Sequence, residues 1–158
     1  MTNPALDTDL RDLYQDLILD HGKHPRNFHN LPHPNREALG HNPLCGDRLM
    51  LFLTVDDQGI IRDAGFQGSG CAISMASASM MTEMLKGKTS AEAEKLFRYL
   101  HASCTGAEAP TKDLAEDDVD RLKALGGVRH YPMRVKCATL AWHTLQAALK
   151  NEQKVSTE

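Results

Sequence analysis

Leu49-Met50-Leu51-Phe52-Leu53-Thr54-Val55, then Asp56-Asp57-Gln58-Gly59, then Ile60-Ile61-Arg62-Asp63-Ala64-Gly65-Phe66 is the stretch that decides the fold. Two β-rich runs flank a polar connection in which Gly59 can take a positive φ, so the spacing predicts an antiparallel hairpin. No other stretch reads as sheet from its own residues.

Outward from the hairpin the pattern turns helical. Upstream, Leu10, Leu13, Tyr14, Leu17 and Ile18 recur at helical spacing behind Asp7 and Thr8, either of which can cap, and Gly22 closes the run. A polar, His- and Pro-rich connection fills His24 to Pro43. Downstream of Gly70, Ile73, Ala76, Met80 and Met84 line one side of a helix that Gly87 stops. Thr89 and Glu92 form a capping box for the next helix, striped by Ala93, Leu96, Phe97 and Leu100. The acidic stretch Asp113 to Asp120 leads into a short helix with Val119, Leu122 and Leu125, stopped by Gly126-Gly127. A last helix starts at Cys137 and carries Leu140, Ala141, Leu145, Ala148 and Leu149. The polar tail from Asn151 reads as frayed. Without a repeat or a linker, residues 1–158 read as a single domain.

A chain of 158 residues buries a real core without help from a metal or disulfides. Net charge is −3 with both signs mixed, which argues against nucleic acid as a partner. No run of about 18 apolar residues argues for a membrane span. The start, Met1-Thr2-Asn3-Pro4-Ala5-Leu6-Asp7, is acidic where a secretory signal is basic and apolar, so a cytoplasmic protein is expected. In that reducing compartment four widely spaced cysteines point to metal binding, catalysis or inert burial rather than to a disulfide framework.

Cys45 in Pro43-Leu44-Cys45-Gly46-Asp47, Cys71 in Gly68-Ser69-Gly70-Cys71 and Cys137 in Arg134-Val135-Lys136-Cys137 each sit where a thiolate is favoured. Cys71 and Cys137 are placed at helix starts, whose free N–H groups and positive dipole end stabilise the anion. Cys45 lies in a loop, with Gly46 permitting close backbone approach and Asp47 near enough for both side chains to reach one ion. Cys45, Asp47, Cys71 and Cys137 thus form a candidate set of sulfur and carboxylate ligands that suits zinc or an iron-sulfur cluster. Since the thiolate is also the sulfur nucleophile, the same groups can carry sulfur.

Several segments, in order, resemble the U-type iron-sulfur cluster assembly proteins over nearly the whole chain. They are Leu13-Tyr14-Gln15, Asp20-His21, His24-Pro25-Arg26-Asn27, Asn42-Pro43-Leu44-Cys45-Gly46-Asp47, Gly68-Ser69-Gly70-Cys71-Ala72-Ile73-Ser74 and Arg129-His130-Tyr131-Pro132-Met133-Arg134-Val135-Lys136-Cys137. Within the family the chain looks like the zinc-dependent sulfurtransferase branch, SufU. Cluster scaffolds carry a histidine immediately before the last cysteine, where this chain has Lys136, and the stretch between Cys71 and Cys137 is lengthened by the acidic helix and Gly126-Gly127.

The resemblance implies an α+β, SufE/IscU-like fold with a small, about three-stranded antiparallel sheet and helices packed on it. It also implies zinc held by Cys45, Asp47, Cys71 and Cys137, with an iron-sulfur cluster as the alternative. The implied partners are a pyridoxal-phosphate cysteine desulfurase of SufS type and a downstream iron-sulfur scaffold. On this reading Cys45 accepts persulfide sulfur, zinc keeps it guarded until the desulfurase docks, and Arg134 supports the site electrostatically. Lys136 either stabilises a thiolate or points to water. His41 and His143 are the alternatives to Asp47 as ligand, and Cys104, outside every motif, reads as a bystander. Three classes stay open: a sulfur-relay enzyme, a cluster scaffold, and a domain with a structural zinc.

Overall fold

The structure, a computed structural model, describes residues 4–108, 110–152 and 154–156. The hairpin forms as its residues require. Strand β2 (Asp47–Val55) and strand β3 (Ile61–Ser69) pair antiparallel, with Leu51 opposite Phe66 and Leu53 opposite Ala64. The Asp56 carboxylate accepts the backbone N–H groups of Gln58 and Ile60, each at 2.9 Å, and so closes the turn.

Along β2, Asp47, Leu49, Leu51 and Leu53 are all fully buried and alternate with more exposed neighbours. The same alternation that turns three leucines into the core therefore turns a carboxylate inward at the strand's first residue. Helix α5 (Pro132–Leu149) packs on that strand and helix α2 (Ala72–Leu85) packs on β3 and on α5, so that Met80, Met81, Leu140, Trp142 and Leu145 share one buried cluster with the strand leucines. Burying side chains of this size contributes roughly 1.5–3 kcal/mol each before entropy is counted. Helix α1 (Pro4–Lys23) packs on α2.

Helices α3 (Ser90–Thr105) and α4 (Glu116–Leu125) complete the shell. Thr89 caps α3, with both bonds of the expected capping box in place: Glu92 N–H donates to Thr89 Oγ1, and Thr89 N–H donates to the Glu92 carboxylate. Among the described residues no helix is long and apolar enough to cross a membrane.

Among the described residues the sheet has four strands in the order β3-β2-β1-β4, not about three, and it is mixed. Strand β1 (Arg36–Asn42) pairs antiparallel with β2 inside what reads as a connection. Its inward residues Ala38, Gly40 and Asn42 are small or polar because α5 lies directly on them; a side-chain carbon on Gly40 would collide with Thr144. That close packing removes the apolar signature by which a strand is read. Strand β4 (Lys154–Ser156) lies in the tail expected to fray, and it pairs parallel with Leu39–His41 along the free edge of β1.

Two helix boundaries also differ from expectation. Helix α1 opens at Pro4, ahead of Asp7 and Thr8, and runs through Gly22, whose missing side chain lets Ala72 approach closely. The side chains of Leu10 and Leu13 and the whole of Met1–Asn3 fall outside the described residues. Helix α5 opens at Pro132, a residue whose fixed φ suits the first helical position, so Cys137 lies more than a turn inside rather than at the start.

The segment from Asp20-His21, at the end of α1, to Arg26-Asn27 is tied to α2 by hydrogen bonds. His21 Nδ1 hydrogen-bonds Ser79 Oγ at 2.7 Å, Arg26 N–H donates to the same oxygen at 2.8 Å, and Asn27 Nδ2 donates to Thr82 Oγ1 at 3.2 Å. These bonds fix the helix that Cys71 caps.

Candidate metal centre

Asn42 ends β1 and stands opposite Asp47, so Pro43–Gly46 make a four-residue turn with Cys45 on it. Gly46 takes φ +70° there, a conformation other residues rarely adopt. The turn brings Cys45 to Asp47, and α5 brings Cys137 to both. The ligand atoms of Cys45, Asp47 and Cys137 all lie within 4.8 Å of one another. Asp47 and Cys137 are fully buried; Cys45 is half-buried.

Asp47 is held from two sides: Oδ1 accepts the Cys71 N–H at 2.9 Å and Oδ2 accepts Asn42 Nδ2 at 3.2 Å. Gly70 permits the first of these bonds, because a side-chain carbon there would collide with the carboxylate. Cys71 caps α2 as expected, its sulfur accepting the Ser74 N–H at 3.5 Å. The structure thus unites Cys45, Asp47 and Cys137, while the Cys71 sulfur, at the rim of the same site, faces its own helix.

Cys137 does not draw on a helix end. Burial pushes its thiol up, and hydrogen bonding to Asp47 and Cys45 together with the charge of Cys71 pushes it the same way. The reason is its place inside α5, where the backbone N–H groups are already committed to the helix ladder. Arg134, one turn earlier and exposed, has its pKa raised first by the Cys137 sulfur and then by the charges of Cys71, Cys137 and Cys45. Lys136 is half-buried on the same turn. Exposed apolar side chains flank the site: Leu44 beside Cys45, and Tyr131 and Met133 at the start of α5.

The alternative ligands lie elsewhere. His41 points away from the core-facing side that Gly40 and Asn42 occupy, and His143 packs its ring on Phe97 with a centroid separation of 5.2 Å. Sequence reasoning missed Asn42 as a site residue, and its signal is readable only once β1 is known to be a strand in phase with β2.

Cys104 is fully buried, with its Sγ 3.8 Å from the Leu125 carbonyl. Burial pushes its thiol up to about 12. The raised value means that this group's stabilising effect is complete below the unfolded-state pKa and is lost as pH climbs toward the folded one. Stability should therefore fall between pH 9 and 12, by about 4 kcal/mol from this group. In the native protein at neutral pH, iodoacetamide should leave Cys104 unmodified; mass mapping of the labelled peptides checks it.

An α+β domain that gathers thiols and a buried carboxylate at one end of its sheet defines a class of thiol-centred metal-site proteins. The chain belongs to the NifU-like N-terminal domain family, whose model matches residues 13–138. It is 40% identical over 153 residues, 96% of each chain, to the zinc-dependent sulfurtransferase SufU of Bacillus subtilis. It is 38% identical over 141 residues to the iron-sulfur cluster assembly scaffold protein IscU of Streptococcus pyogenes, covering 89% of this chain and 85% of that one. Among solved structures, a chain from Fervidobacterium islandicum AW-1, proposed as an iron-sulfur cluster assembly scaffold protein for the SUF system, superposes with TM-score 0.78. It shares 32% identity over 88% of this chain and 98% of that one.

Proposed function

We propose that the chain is a zinc-dependent sulfur-relay protein: Cys45 accepts the outer sulfur of a persulfide on a cysteine desulfurase and delivers it toward iron-sulfur cluster assembly. The observation that carries the reading is the convergence of Cys45, Asp47 and Cys137 within 4.8 Å. The donor set fits zinc. Asp47 is a fully buried carboxylate with no ion-pair partner among the described residues, an arrangement that calls for a cation. Cys45, Asp47 and Cys137 would hold the ion, and Cys71 would complete a tetrahedral shell by turning its sulfur from the Ser74 N–H. When bound, zinc supplies the charge that keeps these sulfurs as thiolates at neutral pH.

The chain's own residues shape the transfer. Cys45 sits on a turn that Gly46 frees, and it is less buried than Cys137. Its thiolate attacks the outer sulfur of the donor persulfide. A new S–S bond forms at Cys45, the donor's S–S bond breaks, and the donor sulfur leaves as a thiolate, so the electron count is unchanged. Arg134 sets a positive charge beside the anionic product. Leu44, Tyr131 and Met133 give the docking desulfurase apolar surface around the site.

The desulfurase is of SufS type and the acceptor an iron-sulfur scaffold on the strength of the resemblance to the SufU branch and the 40% identical sulfurtransferase. Thiols that must stay reduced place the work in the cytoplasm.

The relatives named as scaffolds support a second reading, in which the same thiols carry a nascent cluster. Metal analysis separates the two. The relay reading expects a colourless protein with about one zinc per chain, as a tetrahedral site requires. A brown protein with visible charge-transfer absorption and little zinc would establish the scaffold.

A further inference from the structure

Asn42 is fully buried at the end of β1. Its Nδ2 donates to Asp47 Oδ2 at 3.2 Å and to the Cys137 sulfur at 3.6 Å, while its Oδ1 is buried without a partner among the described residues. A buried amide whose two donor hydrogens go to two site residues, with its acceptor left unpaired, is oriented by the site and not by its own hydrogen-bond balance. Turning the amide over would set its oxygen against the Asp47 carboxylate. Register explains the placement, because Asn42 is the β1 residue directly across from Asp47 and shares its inward face. α5 then lays Cys137 over the pair.

We infer that Asn42 is a positioning residue of the metal centre: one amide group fixes the rotamer of Asp47 and pins the Cys137 sulfur as the ligand that stays, leaving Cys45 as the ligand without such a bond. A donor to a ligating sulfur withdraws electron density from it and makes it the poorer nucleophile, and partners of this kind set ligand orientation and metal affinity. The inference rests on reading the site as a metal centre, so its test must separate the two.

Cobalt(II), whose sulfur-to-metal charge-transfer bands report each thiolate, is titrated into the metal-free full chain and into the Asn42→Leu and Asn42→Asp variants, and zinc affinity is measured by chelator competition. Asn42→Leu keeps the volume and removes the donor; Asn42→Asp keeps the shape and sets a second carboxylate against Asp47. Asn42→Leu should bind zinc about 10–100-fold more weakly, whereas Asn42→Asp, whose added carboxylate itself favours a cation, should keep its affinity. In Asn42→Leu the charge-transfer band should move to longer wavelength, since the sulfur that loses its hydrogen bond becomes easier to oxidise. Far-UV circular dichroism of the metal-free variants should match the wild type. Wild-type affinity and an unmoved band in folded Asn42→Leu would overturn the inference while leaving the metal centre intact. Weaker binding with an unmoved band, or loss of helical signal in both variants, would assign Asn42 to the fold and overturn it as well. Failure of the wild-type chain to form any thiolate band would overturn the metal reading itself, and the inference with it.

Discussion

Cys45→Ser is expected to abolish persulfide formation on this protein and, with it, any stimulation of its desulfurase, by roughly 10³-fold or more, the scale seen when a lone nucleophile is removed. The fold should survive, because the side chain is half-buried on a turn rather than part of the core, and such changes stay within about 1 kcal/mol. Cys137→Ser cannot be read so cleanly, since that sulfur is fully buried inside α5 and contacts Asn42. The activity assay is sulfide release from cysteine by the desulfurase, with and without each variant. Circular dichroism confirms the fold in parallel.

The second large effect is at Asp47. Asp47→Ala removes the one oxygen ligand proposed and should weaken zinc binding by more than about 100-fold, beyond what the loss of an outer partner causes. In the metal-free protein Asp47→Ala leaves the Asn42 amide and the Cys71 N–H without the acceptor they share, so the metal-free variant should melt somewhat lower than the wild type. Zinc should raise the wild-type melting temperature, with a stabilisation of about 4 kcal/mol at a thousand times its dissociation constant, and should scarcely move the variant. Scanning calorimetry with and without a chelator gives both numbers. Chelation of the wild type should leave most of the far-UV helical signal, because the Leu49, Leu51 and Leu53 face and its helices pack without the site; collapse of that signal would make the metal a folding nucleus.

The hairpin, the capping box at Thr89 and the cap at Cys71 were all legible in the sequence because each is a local event: a turn between two β-rich runs, and side chains reaching their own helix amides. Asp47 was expected in the loop before the hairpin; it is instead the first residue of β2, two before Leu49 in the alternation of that strand, and so is turned inward. What escaped depends on neighbours far along the chain. β1 carries small inward residues because α5 presses on it, so its pattern is that of its partner and not of a lone strand. β4 exists only as cover for the β1 edge and has too few residues to show a period. The true start of α5 was signalled by Pro132, which opens the helix a turn earlier than Cys137, and this turns the expected helix-end thiolate into a buried thiol. Asn42 is invisible as a site residue until β1 and β2 are registered against each other.

The most direct test of the relay is to incubate the zinc-loaded protein with its desulfurase and cysteine, trap free persulfides by alkylation, and locate the added sulfur by peptide mass spectrometry. The predicted result is one extra sulfur on the peptide that carries Cys45 and none on those with Cys71, Cys104 or Cys137. Persulfide on Cys71 or Cys137, with Cys45→Ser still stimulating the desulfurase, would contradict it.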